Sequence, residues 1–252
     1  MRFYVIRHAQ SADNQFVFEN ADKGVRSTGP DQLYFDRQAD PELSDIGRKQ
    51  VQRLGRFLAE RRELATDKTV HVDPYREDFD FTHIYTSLMV RTMETAGAVE
   101  NALRLKPAIW EDLHETGGIW EPDPETGKPV GSPGKNRAYF QNRFPQFTLP
   151  NALGEEGWWN RPLETAQECK DRAQRFVHDL KERHGDTEDR VAVVSHGLFY
   201  SFMINALLKI PPGSKIQFAM NNAAMTRIDL TGRYARVIYQ NRSDYFPPDL
   251  IT

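Results

Sequence analysis

The stretch FYVIRHAQSADN, residues 3–14, opens with four apolar residues and turns polar at Arg7 and His8. A short run of β-branched and aromatic residues with no polar alternation suits a strand buried inside a parallel sheet. Such a strand ending in two basic side chains either leaves them in solvent or holds them for chemistry. The run RVAVVSHG, residues 190–197, repeats the pattern and ends in His196, and THIYTS, residues 82–87, is a third strand candidate. A helical pattern follows each. After Ser44, a candidate N-cap, Ile46, Val51, Leu54, Phe57 and Leu58 mark one helix face running toward Ala65. LMVRTMETAGAVENAL, residues 88–103, reads as a second helix, and Ala166, Cys169, Ala173, Phe176, Val177 and Leu180 line a third. GLFYSFMINALLK, residues 197–209, is apolar enough to be a well-buried fourth. IQFAM (216–220), MTRIDL (225–230) and YARVIYQ (234–240) are expected as later strands. The alternation predicts one domain over 1–252, a three-layer α/β/α sandwich with a mostly parallel central sheet. In such sheets ligands bind beyond the carboxyl ends of the strands, so His8 and His196 are expected to converge despite their separation in sequence.

The chain has 252 residues, 39% hydrophobic and 27% charged, an ordinary globular composition with ample material for a core. A net charge of -3 without a basic block gives no reason to expect nucleic acid or an anionic membrane as partner. The longest apolar runs, FYVI and VAVV, fall well short of the roughly 20 residues of a membrane span, and FYVI is too short for a secretory signal core. The single cysteine, Cys169, excludes an internal disulfide and reads as an inert core thiol on its helix stripe. A cytoplasmic protein is the resulting expectation; the oligomeric state is left open.

Two segments break the alternation. Residues 12–42 are polar and irregular. Residues 116–163 carry seven of the 15 prolines and three of the four tryptophans. A long aromatic loop of this kind is expected to act as a lid or substrate loop walling the site, the plainer alternative being a subdomain packed for stability. Several motifs fail. GSPGKN has the wrong glycine spacing for a phosphate loop, and no Ser or Thr follows Lys135. HETGG at 114–118 lacks the second histidine of a zinc-protease helix, and the seven histidines show no metal-ligand spacing, so no metal and no cofactor are expected. VVSHG is not a nucleophile elbow around Ser195.

What remains forms an ordered set. RHAQSADN (7–14) resembles the R-H-G-x-S-x-x-N signature of the histidine phosphatase superfamily, in its phosphoglycerate mutase-like branch. DPELSDIGRKQ (40–50) is similar to the segment leading into that family's first helix. YTSLMVRTMETA (85–96) is similar to its S-x-x-x-R-x-x-x-T-A segment and supplies Arg91. DLHETGG (112–118) places Glu115 where this branch carries an acidic residue, and VVSHG (193–197) supplies the second histidine. The order and coverage carry the resemblance. Two departures stand out: Ala9 replaces the usual glycine, and Gln10 stands where mutases carry glutamate.

The resemblance implies a phosphatase acting on a small-molecule phosphate ester through a phosphohistidine on His8, and the residues suit that chemistry. Phosphoryl transfer needs an in-line nucleophile and cations around the equatorial oxygens. Imidazole, with an ordinary pKa of about 6.5, offers a free lone pair near neutrality. Arg7 and Arg91 stay charged and bind phosphate oxygens through paired donors. His196, if protonated, adds a donor, and Asn14 supplies a neutral amide. Glu115 is the candidate acid for the leaving alkoxide; that role requires it to hold a proton, aided by bound phosphate and by a loop around Trp120 that excludes water. Ser11 divides between turn capping and phosphate contact, and Arg161 between surface stacking and the remote end of the substrate. His114 reads as structural, and Asn222 as a candidate for shaping the site from a later loop. Taken singly, each of these residues has a commoner ordinary role; the ordered set carries the functional reading. A phosphoglycerate mutase, or a phosphate-binding protein without turnover, are the alternatives.

Overall fold

The computed structural model of the chain describes residues 1–20, 38–66, 79–159, 161–232 and 234–252. In order these form β1 (Arg2–Arg7), α1 (Ala12–Glu19), α2 (Asp45–Thr66), β2 (His83–Thr86), α3 (Val90–Leu103), β3 (Ala108–Ile109), β4 (Trp120–Pro122), β5 (Pro129–Gly131), α4 (Arg137–Arg143), α5 (Ala166–His184), β6 (Arg190–Ser195), α6 (Gly197–Leu207), β7 (Met225–Thr231) and β8 (Tyr234–Arg242). The main sheet runs β3-β2-β6-β1-β7-β8. Its first four strands are parallel; β7 is antiparallel to β1, and β8 to β7.

Side-chain alternation along the strands sets the layers. Tyr4, Ile6, Ala192 and Val194 face one way and pack with Leu54, Phe57 and Leu58 of α2 and Met93, Ala96 and Val99 of α3. Phe3, Val5, Val191 and Val193 face the other way, against Cys169, Phe176 and Leu180 of α5 and Phe199, Met203 and Leu207 of α6. The result is the expected three-layer α/β/α sandwich. Cys169 is a buried free thiol that burial pushes up to about 12, in keeping with an inert core position. Among the described residues no helix is long and apolar enough to cross a membrane.

Three local expectations need correction. IQFAM is not a strand. Side chains, rather than a neighbouring strand, satisfy the segment's backbone. Ser201 Oγ accepts from Phe218 N, and Asn205, Gln240 and Arg7 donate to the carbonyls of Ile216, Ala219 and Met220. The segment 12–42 is not irregular throughout: it opens as α1, nucleated by a capping box between Ser11 and Asn14, while its middle, 21–37, lies outside the described residues. The segment 116–163 is not one loop. Its first part is the β4–β5 hairpin, whereas α4 and the chain just beyond it send Phe140, Phe144, Phe147 and Leu153 into the core on the α2–α3 side.

Candidate active site

The register of β1 on β6 positions the two histidines. Arg7 pairs with Ser195, and His8 N donates to Ser195 O at 2.9 Å, so the next side chains lie together. The rings of His8 and His196 are 5.1 Å apart between centroids, both buried. At this point the chain leaves β1 for the α2 side and leaves β6 for the α6 side, which opens a crevice at the carboxyl ends of the strands. β2 leads into α3, whose first turn carries Arg91; the chain after β3 carries Glu115.

His8 is held in one tautomer. Its Nδ1 lies 2.7 Å from Ala9 O, and a carbonyl can only accept, so Nδ1 carries the proton. The Nε2 lone pair then accepts from Arg91 Nε at 3.3 Å. Burial, then the charges of Arg91 and Arg7, push the His8 pKa well below its usual value, so the ring is neutral. The His196 pKa is also well below its ordinary value, through burial and then Arg91. His196 therefore offers a single N–H donor in the unliganded protein rather than a second cation. Its Nε2 is 3.0 Å from Ser87 Oγ, itself 2.7 Å from Thr92 Oγ1, while its Nδ1 is buried without a partner.

The backbone around His8 is fixed from three sides. Thr95 Oγ1 accepts from Ala9 N, Gln50 Oε1 accepts from Gln10 N, and Asn222 Nδ2 donates to His8 O. Ala9 is fully buried and needs no left-handed backbone, so alanine fits where the family carries glycine. Gln10 turns toward α2, where its Oε1 accepts from Ser44 Oγ.

Arg7 Nη1 donates to Met220 O, and its Nε is buried without a partner. Burial, partly offset by Glu115, pushes Arg7 down to about 10, which still leaves it charged at neutral pH. Gly197 makes room for it, since a Cβ there would lie 3.2 Å from Arg7 Nε. Arg91 is oriented by Asp40, whose Oδ1 lies 3.6 Å from Nη1 and accepts from Val90 N. Burial pushes the Asp40 carboxyl up to about 6 despite that cation. The Glu115 carboxylate accepts from Thr116 N and Phe199 N at 2.9 Å each and from Leu198 N at 3.4 Å, so it sits on the N-terminus of α6. Asn14 Oδ1 accepts from Ser11 N and from Asn222 Nδ2.

Arg7, His8, Ser11, Asn14, Arg91 and Glu115 all line one cavity of about 1580 Å³, with Trp120 and the hairpin residues 126–129 on its wall. His196 lies behind His8. Arg161 is not brought to this cavity. It stacks on Trp159 at 4.1 Å, donates to His114 Nε2 and borders a separate hollow of about 480 Å³. Ser195 Oγ donates to Leu113 O, a structural tie. Sequence reasoning missed Asp40 and Arg172. The latter is buried on α5, binds Glu164 through two contacts of 2.6 Å and donates to the carbonyls of Asp112 and His114 just ahead of Glu115.

Among solved structures, the α-ribazole phosphatase from Shigella flexneri superposes with a TM-score of 0.57 at 20% identity, covering 96% of each chain. A mycobacterial glucosyl-3-phosphoglycerate phosphatase in complex with VO3 superposes with a TM-score of 0.53 at 19% identity, covering 96% of this chain and 99% of that one. At these identities the likeness is one of fold. No curated protein sequence matches the chain significantly. The family model for the histidine phosphatase superfamily (branch 1) matches residues 3–243. The five ordered motifs, their convergence at one crevice and that match lead to one conclusion: the chain belongs to the histidine phosphatase superfamily, branch 1, and is a phosphatase of the histidine type.

Proposed function

We propose that the chain hydrolyses phosphate monoesters of small metabolites, without a metal ion, through a phosphohistidine on Nε2 of His8. One observation carries the reading: Ala9 O fixes the proton on Nδ1, and the free Nε2 lone pair meets the Arg91 guanidinium at the cavity wall. A phosphoryl group there takes over the Arg91 donor. Nε2 attacks phosphorus, the N–P bond forms and the ester P–O bond breaks. Arg7, Arg91 and Asn14 bind the equatorial oxygens, and the partnerless Nδ1 of His196, when it carries the ring proton, donates to an oxygen of the same group. Glu115 in its acid form protonates the departing alkoxide; the carboxylate so formed, held by Thr116 N and Phe199 N, then accepts a proton from the water that attacks phosphorus, the N–P bond breaks and inorganic phosphate leaves. The single buried thiol fits a cytoplasmic setting. The relatives named for α-ribazole and glucosyl-3-phosphoglycerate esters support a small phosphorylated substrate.

The test is p-nitrophenyl phosphate hydrolysis in excess chelator, wild type against His8→Ala. Turnover should persist with chelator and fall by at least about a thousandfold in the variant, as expected for loss of a nucleophile. Chelator-sensitive turnover, or turnover in His8→Ala, would overturn the proposal.

A further inference from the structure

The cavity is far larger than a phosphate group needs, and part of its wall is apolar. Helix α6 is apolar on two sides. Phe199, Met203 and Leu207 go into the core, while Leu198, Phe202 and Ala206, spaced by four, line the cavity. The extended segment that forms no strand lies directly beside α6, with Phe218 N donating to Ser201 Oγ and Asn205 Nδ2 to Ile216 O, and its Ile216 and Phe218 line the same cavity. Leu198 and Ile216 are 40% and 47% exposed, an apolar surface left open next to the phosphate-binding end. The cavity also holds Lys128, Lys170 and Lys215, none of them in an ion pair among the described residues. They favour anionic ligands generally and do not discriminate between esters.

We infer that the ester's alcohol carries a large apolar or aromatic body, seated against Leu198 and Phe202 of α6 and Ile216 and Phe218 of the segment beside it. This rests on the phosphatase reading of the same site and names its substrate class. The phosphate fixes one end, and the apolar walls remove the body from water. A polyhydroxylated ester such as a glycerol or sugar phosphate gains nothing there and leaves its hydroxyls facing apolar side chains.

The experiment compares three phosphates of primary alcohols, so that leaving groups match: glycerol 3-phosphate, hexyl phosphate and 2-(1-naphthyl)ethyl phosphate. Wild type should favour the naphthylethyl ester over glycerol 3-phosphate by at least about thirtyfold in kcat/KM, with hexyl between, as burial of a phenyl-sized group implies. Phe202→Ser, and separately Ile216→Ser in a segment outside regular structure, should each shrink that ratio about tenfold. The ratio is internal to each variant, so a partly unfolded preparation does not mimic the effect. Calorimetric binding of the same esters to His8→Ala reads the apolar walls without turnover and should show the same order. Equal kcat/KM across the series, or equal binding to His8→Ala, would overturn the inference. Failure of the phosphatase reading looks different: no ester hydrolysed by wild type, with the binding order still deciding for or against the apolar walls.

Discussion

Replacing Asp40 with Asn should stabilise the protein and impair it as an enzyme. The Asp40 side chain is 2% exposed, its Oδ1 accepts from Val90 N at 3.1 Å, and its Oδ2 has no partner. Burial raises its pKa from 3.8 to about 6, even with Arg91 Nη1 at 3.6 Å. Below about pH 4 the carboxyl is protonated in both folded and unfolded chains and has no effect on the pH slope. Between about pH 4 and 6 the unfolded chain ionises first, binds fewer protons than the native state, and stability falls. Above pH 6 the loss is complete. At about 1.4 kcal/mol per unit, a shift of roughly two units amounts to about 3 kcal/mol.

Asn has nearly the same shape, keeps an oxygen for Val90 N and does not ionise. The variant should therefore nearly match wild type near pH 3.5 and exceed it by up to about 3 kcal/mol at pH 8. For a domain of this size that is roughly 6 to 12 °C in Tm. Tryptophan fluorescence during thermal unfolding at the two pH values measures it. Activity should move the other way. Arg91 loses the anion that orients it over His8, and a small displacement of a phosphate-binding guanidinium should cost at least about tenfold in kcat/KM. A variant less stable than wild type at both pH values would refute the reasoning, because it would show that the pairing with Arg91 outweighs the burial of Asp40.

Two further perturbations test how the site is supported. Arg172→Met leaves the buried Glu164 carboxylate unpaired and should cost about 3 to 5 kcal/mol in urea unfolding. Adding Glu164→Leu should restore part of that stability, yet kcat should stay low, because the carbonyls of Asp112 and His114 ahead of Glu115 still lack their donor; full recovery of both would reduce Arg172 to a packing residue. Gly47→Ala puts a Cβ 2.0 Å from Gln10 O, so the backbone after His8 must move by about an ångström. Kinetics on p-nitrophenyl phosphate should show a loss on the order of a hundredfold, and unaltered kcat would mean that α2 does not position the loop.

The sandwich and the central histidines were legible because the signals were local and repeated. FYVI and VAVV read as buried strands from composition alone, and each ends in a histidine at the sheet edge where ligands bind. IQFAM shows the limit of that reasoning. Its alternating apolar residues are real, but a period of two describes any extended segment with one apolar side. Here Met220 enters the core, Phe218 packs against it and Ile216 borders the cavity, with no neighbouring strand. The aromatic segment 116–163 was read as one lid, yet composition does not say that Phe140, Phe144 and Phe147 enter the core while Trp120 borders the cavity. Arg172 had a usable signal: it lies between Cys169 and Phe176 on the core-facing stripe of α5, where only a fully satisfied arginine is tolerated. Asp40 opens the quoted stretch DPELSDIGRKQ, but its contact with Arg91 had no local signal until α3 is placed against it.

The pairing of neutral histidines with buried arginines is itself a mechanism of timing. Without substrate, burial and then Arg91 and Arg7 hold proton affinity at His8 down, so Nε2 carries a lone pair and no proton. In the proposed mechanism the same two guanidinium groups bind the phosphoryl oxygens, so the nucleophile is ready only where its electrophile is also held. A bound dianion cancels part of the field that depressed the histidines. His8 cannot exploit that change, because its lone pair is committed to phosphorus and its other nitrogen to Ala9 O. His196 can: its Nδ1 is free, and its Nε2 meets a hydroxyl able to donate or accept. On the proposed mechanism, substrate binding would raise the basicity of His196 and spare His8, an asymmetry set by the single backbone carbonyl of Ala9.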